Sequence, residues 1–150
     1  MKNRLKLGSK YVDESSLYFI ADIGANHNGS LEKAIELINL AKEAGADAAK
    51  FQNFQAEKIV SKLGFEQMSG KLSHQSGWKK SVFEVYKDAS ISKDWTKILK
   101  NECEKVNIDY FTSPYDFDSV DLVDPYVDLY KIGSGDITWL EIINYILDKN

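Results

Sequence analysis

The sequence predicts an α/β protein in which parallel strands alternate with helices. Short apolar runs alternate along the chain with amphipathic segments, and the connections between them are mostly only a few residues long, as βα units prefer. The length of 150 residues, with 43% hydrophobic and 28% charged side chains, is typical of one compact globular domain.

The first βα unit has the clearest pattern. Residues 17–21 are apolar at consecutive positions, which predicts a strand buried on both faces, and the turn-rich residues 24–29 follow it. Ser30 is a good N-cap for the next helix, whose apolar residues repeat at helical spacing until Gly45 ends it.

Three more strands are predicted, at residues 48–52, 108–112 and 129–132. The irregular stretch at about residues 53–91 is too long for a plain connection and contains a possible capping box at Ser81 and Glu84. A helix is predicted from Ser92, and another after a capping-box pattern at Thr138 and Glu141. Four such units make either an open parallel sheet or half of an eight-stranded barrel, which normally needs about 250 residues.

Charge and composition exclude several classes of protein. The 19 basic and 23 acidic side chains are dispersed and give a net charge of −4, which leaves no basic surface for nucleic acid. The single cysteine, Cys103, cannot form an internal disulfide. The first residues lack the apolar core of a signal peptide, and no run approaches the roughly 20 apolar residues that cross a bilayer. We therefore expect a soluble, cytoplasmic protein that binds neither nucleic acid nor a membrane.

Polar residues at the carboxyl ends of the strands are the candidates for a functional site, because ligands of parallel α/β folds bind there. In chain order these residues are Asp22, Lys50, Gln52, Thr112, Ser113, Lys131, Ser134 and Asp136. A buried ammonium group is costly unless it is compensated. Lys50 and Lys131 therefore each need a carboxylate, an anionic ligand or the loss of the proton.

Two interpretations of the lysines remain open. In one, Lys50 and Lys131 form structural ion pairs with Asp22 and Asp136. In the other, the lysines line an anion pocket, together with the hydroxyl groups that end the third strand and the backbone amides of residues 133–135, which precede a predicted helix.

His27, His74 and Cys103 are weaker candidates. His27 stands in a turn rich in Asn and Gly, where a histidine more often satisfies local backbone groups, and His74 is too far away in sequence to form a metal motif with it. Cys103 lies on a predicted helix without a neighbouring histidine, which favours a packing role. The sequence therefore offers no set of metal ligands.

Four strings of residues carry a resemblance to a known family. They are residues 19–29 (FIADIGANHNG), 44–52 (AGADAAKFQ), 111–116 (FTSPYD) and 130–136 (YKIGSGD). In order and spacing they resemble the sialic acid synthase family over most of the chain. The resemblance implies that residues 1–150 are the N-terminal portion of a (β/α)8 TIM barrel with about its first four βα units, without the later strands and the C-terminal antifreeze-like domain.

The family joins phosphoenolpyruvate to an N-acetylated hexose such as N-acetylmannosamine, which gives a nine-carbon 2-keto sugar acid and phosphate. The resemblance implies that phosphoenolpyruvate is held by Lys50, Thr112, Lys131 and Ser134, with the neighbouring hydroxyl of Ser113. We expect Lys50, Thr112, Lys131 and Ser134 to converge on one small concavity.

The resemblance also implies residues for the sugar. Gln52 and Asp136 match positions that contact it, and Asp22, grouped with the two lysines as catalytic, matches an acidic position that is commonly glutamate. Since both acidic positions are aspartate here, the carboxyl groups lie about one methylene further back, and the accepted sugar is expected to differ.

A divalent metal, Mn²⁺ or Mg²⁺, and a homodimer are further implications of the family. Its metal ligands are two histidines on later strands, which neither His27 nor His74 matches. Two alternatives remain: a barrel enzyme in which Lys50 or Lys131 forms a Schiff base with a carbonyl substrate, and an inactive half barrel that self-associates through its strand edges.

Overall fold

The structure, a computed structural model, describes residues 4–67 and 78–149. Its strands are β1 (Leu5–Leu7), β2 (Lys10–Val12), β3 (Ile20–Gly24), β4 (Ala48–Asn53) and β5 (Asp109–Pro114). Its helices are α1 (Leu31–Glu43), α2 (Ala56–Ile59), α3 (Lys62–Gln67), α4 (Val82–Ala89), α5 (Trp95–Lys105), α6 (Phe117–Val123) and α7 (Leu140–Leu147). No helix in these two ranges is long and apolar enough to cross a membrane.

A parallel sheet of β3, β4 and β5, in that order, is the centre of the fold. Helices α1 and α5 pack on one side of it, called here the helix face, and the other side is called the open face. Because side chains alternate along a strand, Ala49 and Phe51 of β4 enter the core on the helix face, whereas Lys50 and Gln52 lie on the open face. The predicted α/β class with a parallel sheet is confirmed.

Two of the predicted helix starts are confirmed. The Ser30 hydroxyl caps α1 by accepting a hydrogen bond from the Lys33 amide, and Ser81 and Glu84 form a reciprocal capping box at α4. The pattern at Thr138 fails: α7 begins at Leu140, and its N-terminus has no side-chain cap.

The first parallel strand differs from its prediction in both position and burial. It begins at Ile20, three residues later than expected. Leu17, Phe19 and Ile20 are 74%, 59% and 43% exposed, because β3 is an edge strand of the described sheet and nothing in the described ranges covers it there.

The fourth predicted strand, residues 129–132, is reduced to a single parallel bridge between Thr112 and Tyr130. The Lys131 amide donates to the Thr112 carbonyl at 3.1 Å, which continues the contact by one hydrogen bond. Tyr130 and Ile132 both pack against the second apolar cluster, Val120, Ile142 and Ile146. Since these two neighbours of Lys131 lie on the helix face, alternation places the Lys131 side chain on the open face.

The hairpin formed by β1 and β2 was not predicted, and it is attached where β4 and β5 begin. Asp109 accepts hydrogen bonds from the Ser9 amide and hydroxyl and from the Tyr18 hydroxyl. Asp47 accepts from the Phe19 amide at 2.8 Å and pairs with Lys10. The hairpin therefore lies at the amino ends of the strands, opposite the candidate site.

Candidate active site

Lys50 is the buried cation of the sheet. It lies in β4, is 5% exposed, and its Nζ is 2.9 Å from Oδ1 of Asp22, its register partner on β3. The Asp22 side chain is 67% exposed, so the charge of Lys50 is balanced by a carboxylate that solvent or a ligand can reach. For Lys50, the structure therefore contains the ion pair with Asp22 that was one of the two interpretations left open by the sequence.

Gln52 and Tyr115 form a polar contact one pleat further along the open face. The Gln52 Nε2 donates to the Tyr115 hydroxyl at 3.2 Å. Tyr115 follows β5, and its backbone amide donates to the Asn53 carbonyl at 3.0 Å. Burial, followed by the nearby Asp136 carboxylate, raises the pKa of the Tyr115 phenol, so the phenol keeps its proton at neutral pH.

Gly133 makes room for the close packing of Tyr115 and Asp136. A Cβ atom on Gly133 would lie 2.8 Å from Oδ2 of Asp136 and 2.9 Å from Cε1 of Tyr115. Asp136 and Ser134 belong to a short 3-10 turn, Ser134–Asp136, in which Ser134 is exposed. The amides of residues 133–135, expected directly before a helix, lie at the start of this 3-10 turn instead, and α7 begins only at Leu140.

Thr112 does not converge with the lysines. Its side chain lies on the helix face, is fully buried, and donates to Oδ1 of Asn53 at 2.6 Å. Asn53 in turn donates to Thr96 of α5 at 3.2 Å. Adjacent residues of a strand point to opposite faces, so Thr112 and Ser113 cannot both face Lys50.

Ser113 is the hydroxyl residue on the open face. Its register partner is Gln52, and its buried hydroxyl makes no hydrogen bond of normal geometry with the described residues. It also lies close enough to Tyr115 to influence the pKa of that phenol. Ser113 is therefore placed to offer a hydrogen bond to a ligand.

Lys131 completes the open face on the far side of β5. It lies level with Ser113 and Gln52, about 10 Å from the latter at the usual strand spacing. No ion pair of Lys131 is present within residues 4–67 and 78–149, so the expected pair with Asp136 is not formed. Two lysines thus lie on the open face, and of these two only Lys50 has an ion pair with a carboxylate of the described residues.

His27 and Cys103 are both fully buried. His27 is fully buried, its Nδ1 accepts from the Gly29 amide at 3.1 Å, and its ring meets Trp95 edge-on. Burial, followed by the positive charge of Lys33, lowers the pKa of His27. Burial also raises the pKa of the Cys103 thiol to about 12, which suppresses the nucleophilic thiolate. His74 lies outside the described residues.

The open face divides into a cationic and an acidic part. Lys50 and Lys131, with the Ser113 hydroxyl, are suited to phosphate or carboxylate oxygens. Asp22, the Gln52 amide and Asp136 are suited to the hydroxyl and amide groups of a sugar. In the parts of the chain that the structure covers, no three His, Cys, Asp or Glu side chains cluster as a metal site would require.

Comparisons with known proteins find relatives that match most of this chain. The chain is 31% identical over 145 residues to the uncharacterized protein MJ1065 of Methanocaldococcus jannaschii, covering 95% of this chain and 38% of that protein. It is 32% identical over 133 residues to the N,N'-diacetyllegionaminic acid synthase of Legionella pneumophila, covering 88% and 37%. The chain therefore spans less than half the length of the curated relatives that it matches.

The fold leads to the same group of proteins. The N-acetylneuraminic acid (sialic acid) synthetase of Leptospira borgpetersenii, crystallised with citrate, superposes with a TM-score of 0.78 and 26% identity over 99% of this chain and 47% of that one. The model of the NeuB family matches residues 37–150. These findings confirm the resemblance that the four strings predicted: the chain belongs to the NeuB family.

Proposed function

We propose that this chain provides the phosphoenolpyruvate-binding end of a nonulosonic acid synthase. Such an enzyme condenses phosphoenolpyruvate with an N-acetylated hexose, such as N-acetylmannosamine, to a nine-carbon 2-keto sugar acid and releases phosphate. The observation that carries the proposal is Lys50, a buried cation within β4 whose partner, Asp22, is largely exposed. The positive charge of Lys50 can be neutralised by an anionic ligand in place of part of its interaction with Asp22.

Family membership supports the reaction class. Two of the relatives named above are named as synthases of legionaminic acid and sialic acid, and the proposal transfers that activity to the protein of which this chain forms at least a part. We also propose that the sheet of β3, β4 and β5 is a section of a TIM barrel. The exposed apolar residues Leu17, Phe19 and Ile20 would then lie against the last strand of the closed barrel.

The residues of the open face have separate roles in this proposal. Lys50 and Lys131 neutralise the phosphate and carboxylate of phosphoenolpyruvate, and Ser113 donates a hydrogen bond to one of these oxygens. Ser134 is exposed beside this end and is assigned to the same ligand by the family resemblance alone. Thr112, which the resemblance also assigned to phosphoenolpyruvate, supports the site through Asn53.

The sugar is assigned to the acidic part of the face. Gln52 and Asp136 contact the hydroxyl groups of the sugar, and Asp22 lies where its aldehyde end meets the methylene carbon of phosphoenolpyruvate. That carbon attacks the aldehyde, water adds to the resulting cation, and phosphate leaves. Lys50 and Lys131 stabilise the developing charges without forming a covalent bond.

The metal that the family implies has no site among the described residues. No suitable group of donors is present there, and the Asp22 carboxylate is already paired with Lys50. We assign it no ligand in this chain and no step in the scheme above.

The Schiff-base alternative is less consistent with the geometry. A lysine that attacks a carbonyl must be neutral, whereas the Lys50 Nζ is ion-paired with Asp22 at 2.9 Å. Borohydride trapping with a carbonyl substrate distinguishes the two schemes, since only a Schiff base gives a covalent adduct on Lys50 or Lys131.

Titration of the chain with phosphoenolpyruvate by calorimetry tests the proposal. Lys50→Met and Lys131→Met should each weaken binding by about 10- to 100-fold, the loss expected for a hydrogen bond to a charged group. Lys97→Met, on the exposed surface of α5, is the matched control and should bind like the wild type. Failure of the wild type to bind at millimolar concentration, or equal losses in all three variants, would refute the proposal.

A further inference from the structure

Tyr115 is a residue of the open face that belongs to the string 111–116 but was given no role from the sequence. It lies between Gln52 and Asp136, the two residues assigned above to the sugar. Its hydroxyl contacts the Gln52 amide at 3.2 Å, and its ring contacts the space beside Gly133 into which Asp136 also projects. The Tyr115 side chain therefore contacts Gln52 and lies near Asp136.

The contact with Tyr115 fixes the orientation of the Gln52 amide. The Nε2 of Gln52 points to the phenol, and its Oε1 lies on the side of Gly24, 3.8 Å from where a Cβ on that glycine would be. The same Cβ position is 3.4 Å from Oδ1 of Asp22. The side-chain carbonyl of Gln52 and the Asp22 carboxylate thus both border Gly24, and their oxygens are hydrogen-bond acceptors only.

The Tyr115 phenol is itself held in place. Its ring meets Phe54 edge-on, with centroids 6.1 Å apart, and its backbone amide is bonded to the Asn53 carbonyl. In the contact with Gln52 the phenol oxygen accepts, so its own proton is available for a ligand, and the raised pKa keeps that proton on the oxygen at neutral pH.

From this geometry we infer that Tyr115 is a positioning and specificity-determining residue for the sugar: it turns the Gln52 carbonyl toward Asp22, and together these groups select a substrate with adjacent hydroxyl or N–H donors. The inference rests on the proposed function, because it names the sugar as the ligand of this part of the face. It does not involve the two cations of the anion site, since Tyr115 has no contact with Lys50 or Lys131 among the described interactions.

The test compares two ligands on the same variants. Phosphoenolpyruvate is titrated first, and N-acetylmannosamine is then titrated into protein saturated with phosphoenolpyruvate. Tyr115→Phe keeps the ring and removes the hydroxyl, so it should leave phosphoenolpyruvate affinity within about twofold and weaken the sugar by about 2- to 10-fold, the range for one hydrogen bond. Tyr145→Phe removes a hydroxyl that is bonded to Asp121 outside the site, and it should change neither affinity.

A double-mutant cycle separates positioning from general stability. If Tyr115 acts through Gln52, the effect of Tyr115→Phe on sugar affinity should shrink to less than about twofold in a Gln52→Ala background. A wild type that binds no phosphoenolpyruvate would refute the proposed function. Normal phosphoenolpyruvate binding combined with no sugar binding, with unchanged sugar affinity in Tyr115→Phe, or with an equal loss in the Gln52→Ala background would overturn the role of Tyr115 alone.

Discussion

Replacing Thr112 with valine separates the two roles that its position allows. The hydroxyl of Thr112 donates to Oδ1 of Asn53 at 2.6 Å, and both residues are buried on the helix face. Valine keeps the shape but leaves the Asn53 oxygen without this donor. An unsatisfied buried polar group costs about 1–3 kcal/mol, so we expect the free energy of unfolding to fall by about 2 kcal/mol and the urea midpoint by about 1 M.

Replacing the neighbouring Ser113 should affect ligand binding and not stability. The Ser113 hydroxyl makes no hydrogen bond of normal geometry with the described residues, so Ser113→Ala should change the free energy of unfolding by less than about 0.5 kcal/mol. Because Ser113 lies on the open face, this variant should weaken phosphoenolpyruvate binding, whereas Thr112→Val should leave it within about twofold.

Urea unfolding followed by tryptophan fluorescence, together with calorimetric titration, measures both quantities. Thr138→Val, at an exposed position, controls for the substitution itself and should be neutral. The assignment of faces would be refuted if Thr112→Val folded as stably as the wild type, or if it weakened ligand binding as much as Ser113→Ala.

Three further predictions concern the rest of the chain. The pKa of His27 is lowered by burial. Below the unfolded-state pKa of about 6.5, the unfolded chain therefore binds a proton that the folded chain does not, and stability should fall as the pH drops from 7.5 to 5.5. Gly8→Ala should cost more stability than Gly45→Ala, because both residues have a positive φ but only a Cβ on Gly8 would clash, 2.1 Å from the Asp109 carboxylate. Cys103, buried and with a thiol pKa of about 12, should react with Ellman's reagent only at the rate of unfolding.

One experimental result would contradict each of these three predictions. A His27→Gln variant that kept the full pH dependence of the wild type would show that another group is responsible. Equal urea midpoints for the two glycine variants would argue against the contact of the hairpin with Asp109. Modification of native Cys103 within seconds at pH 8 would mean that the thiol is accessible.

The local parts of the fold were predictable because they depend on neighbouring residues. The caps at Ser30 and Ser81 and the strand predicted at residues 48–52 follow from patterns of four to six residues. The structure has both caps, and β4 lies where this strand was predicted. Residues 17–19 were assigned to a strand because they are apolar. Yet they precede β3, and Leu17 and Phe19 are largely exposed, since burial depends on which elements lie alongside.

The candidate site was predictable in part for the same reason. Lys50 and Asp22 were identified from their place at strand ends, and their ion pair follows from the parallel register. Alternation already implied that either Thr112 or Ser113, but not both, shares a face with Lys50. Deciding between them needs the register with β4, which no local pattern gives. Tyr115 was missed, although an aromatic residue directly after a strand that ends in proline is a signal that could have found it.

The hairpin of β1 and β2 has a consequence for how this protein can change. Its anchors, Asp47 and Asp109, lie at the amino ends of β4 and β5, whereas ligand contacts are assigned to the carboxyl ends. Stability and ligand selectivity are thus expected to depend on opposite ends of the sheet. Substitutions in the turn around Ser9 could raise the stability of the chain, and substitutions around Gln52 could change the sugar that is accepted. Because the two regions are far apart, we expect the two effects to be nearly additive.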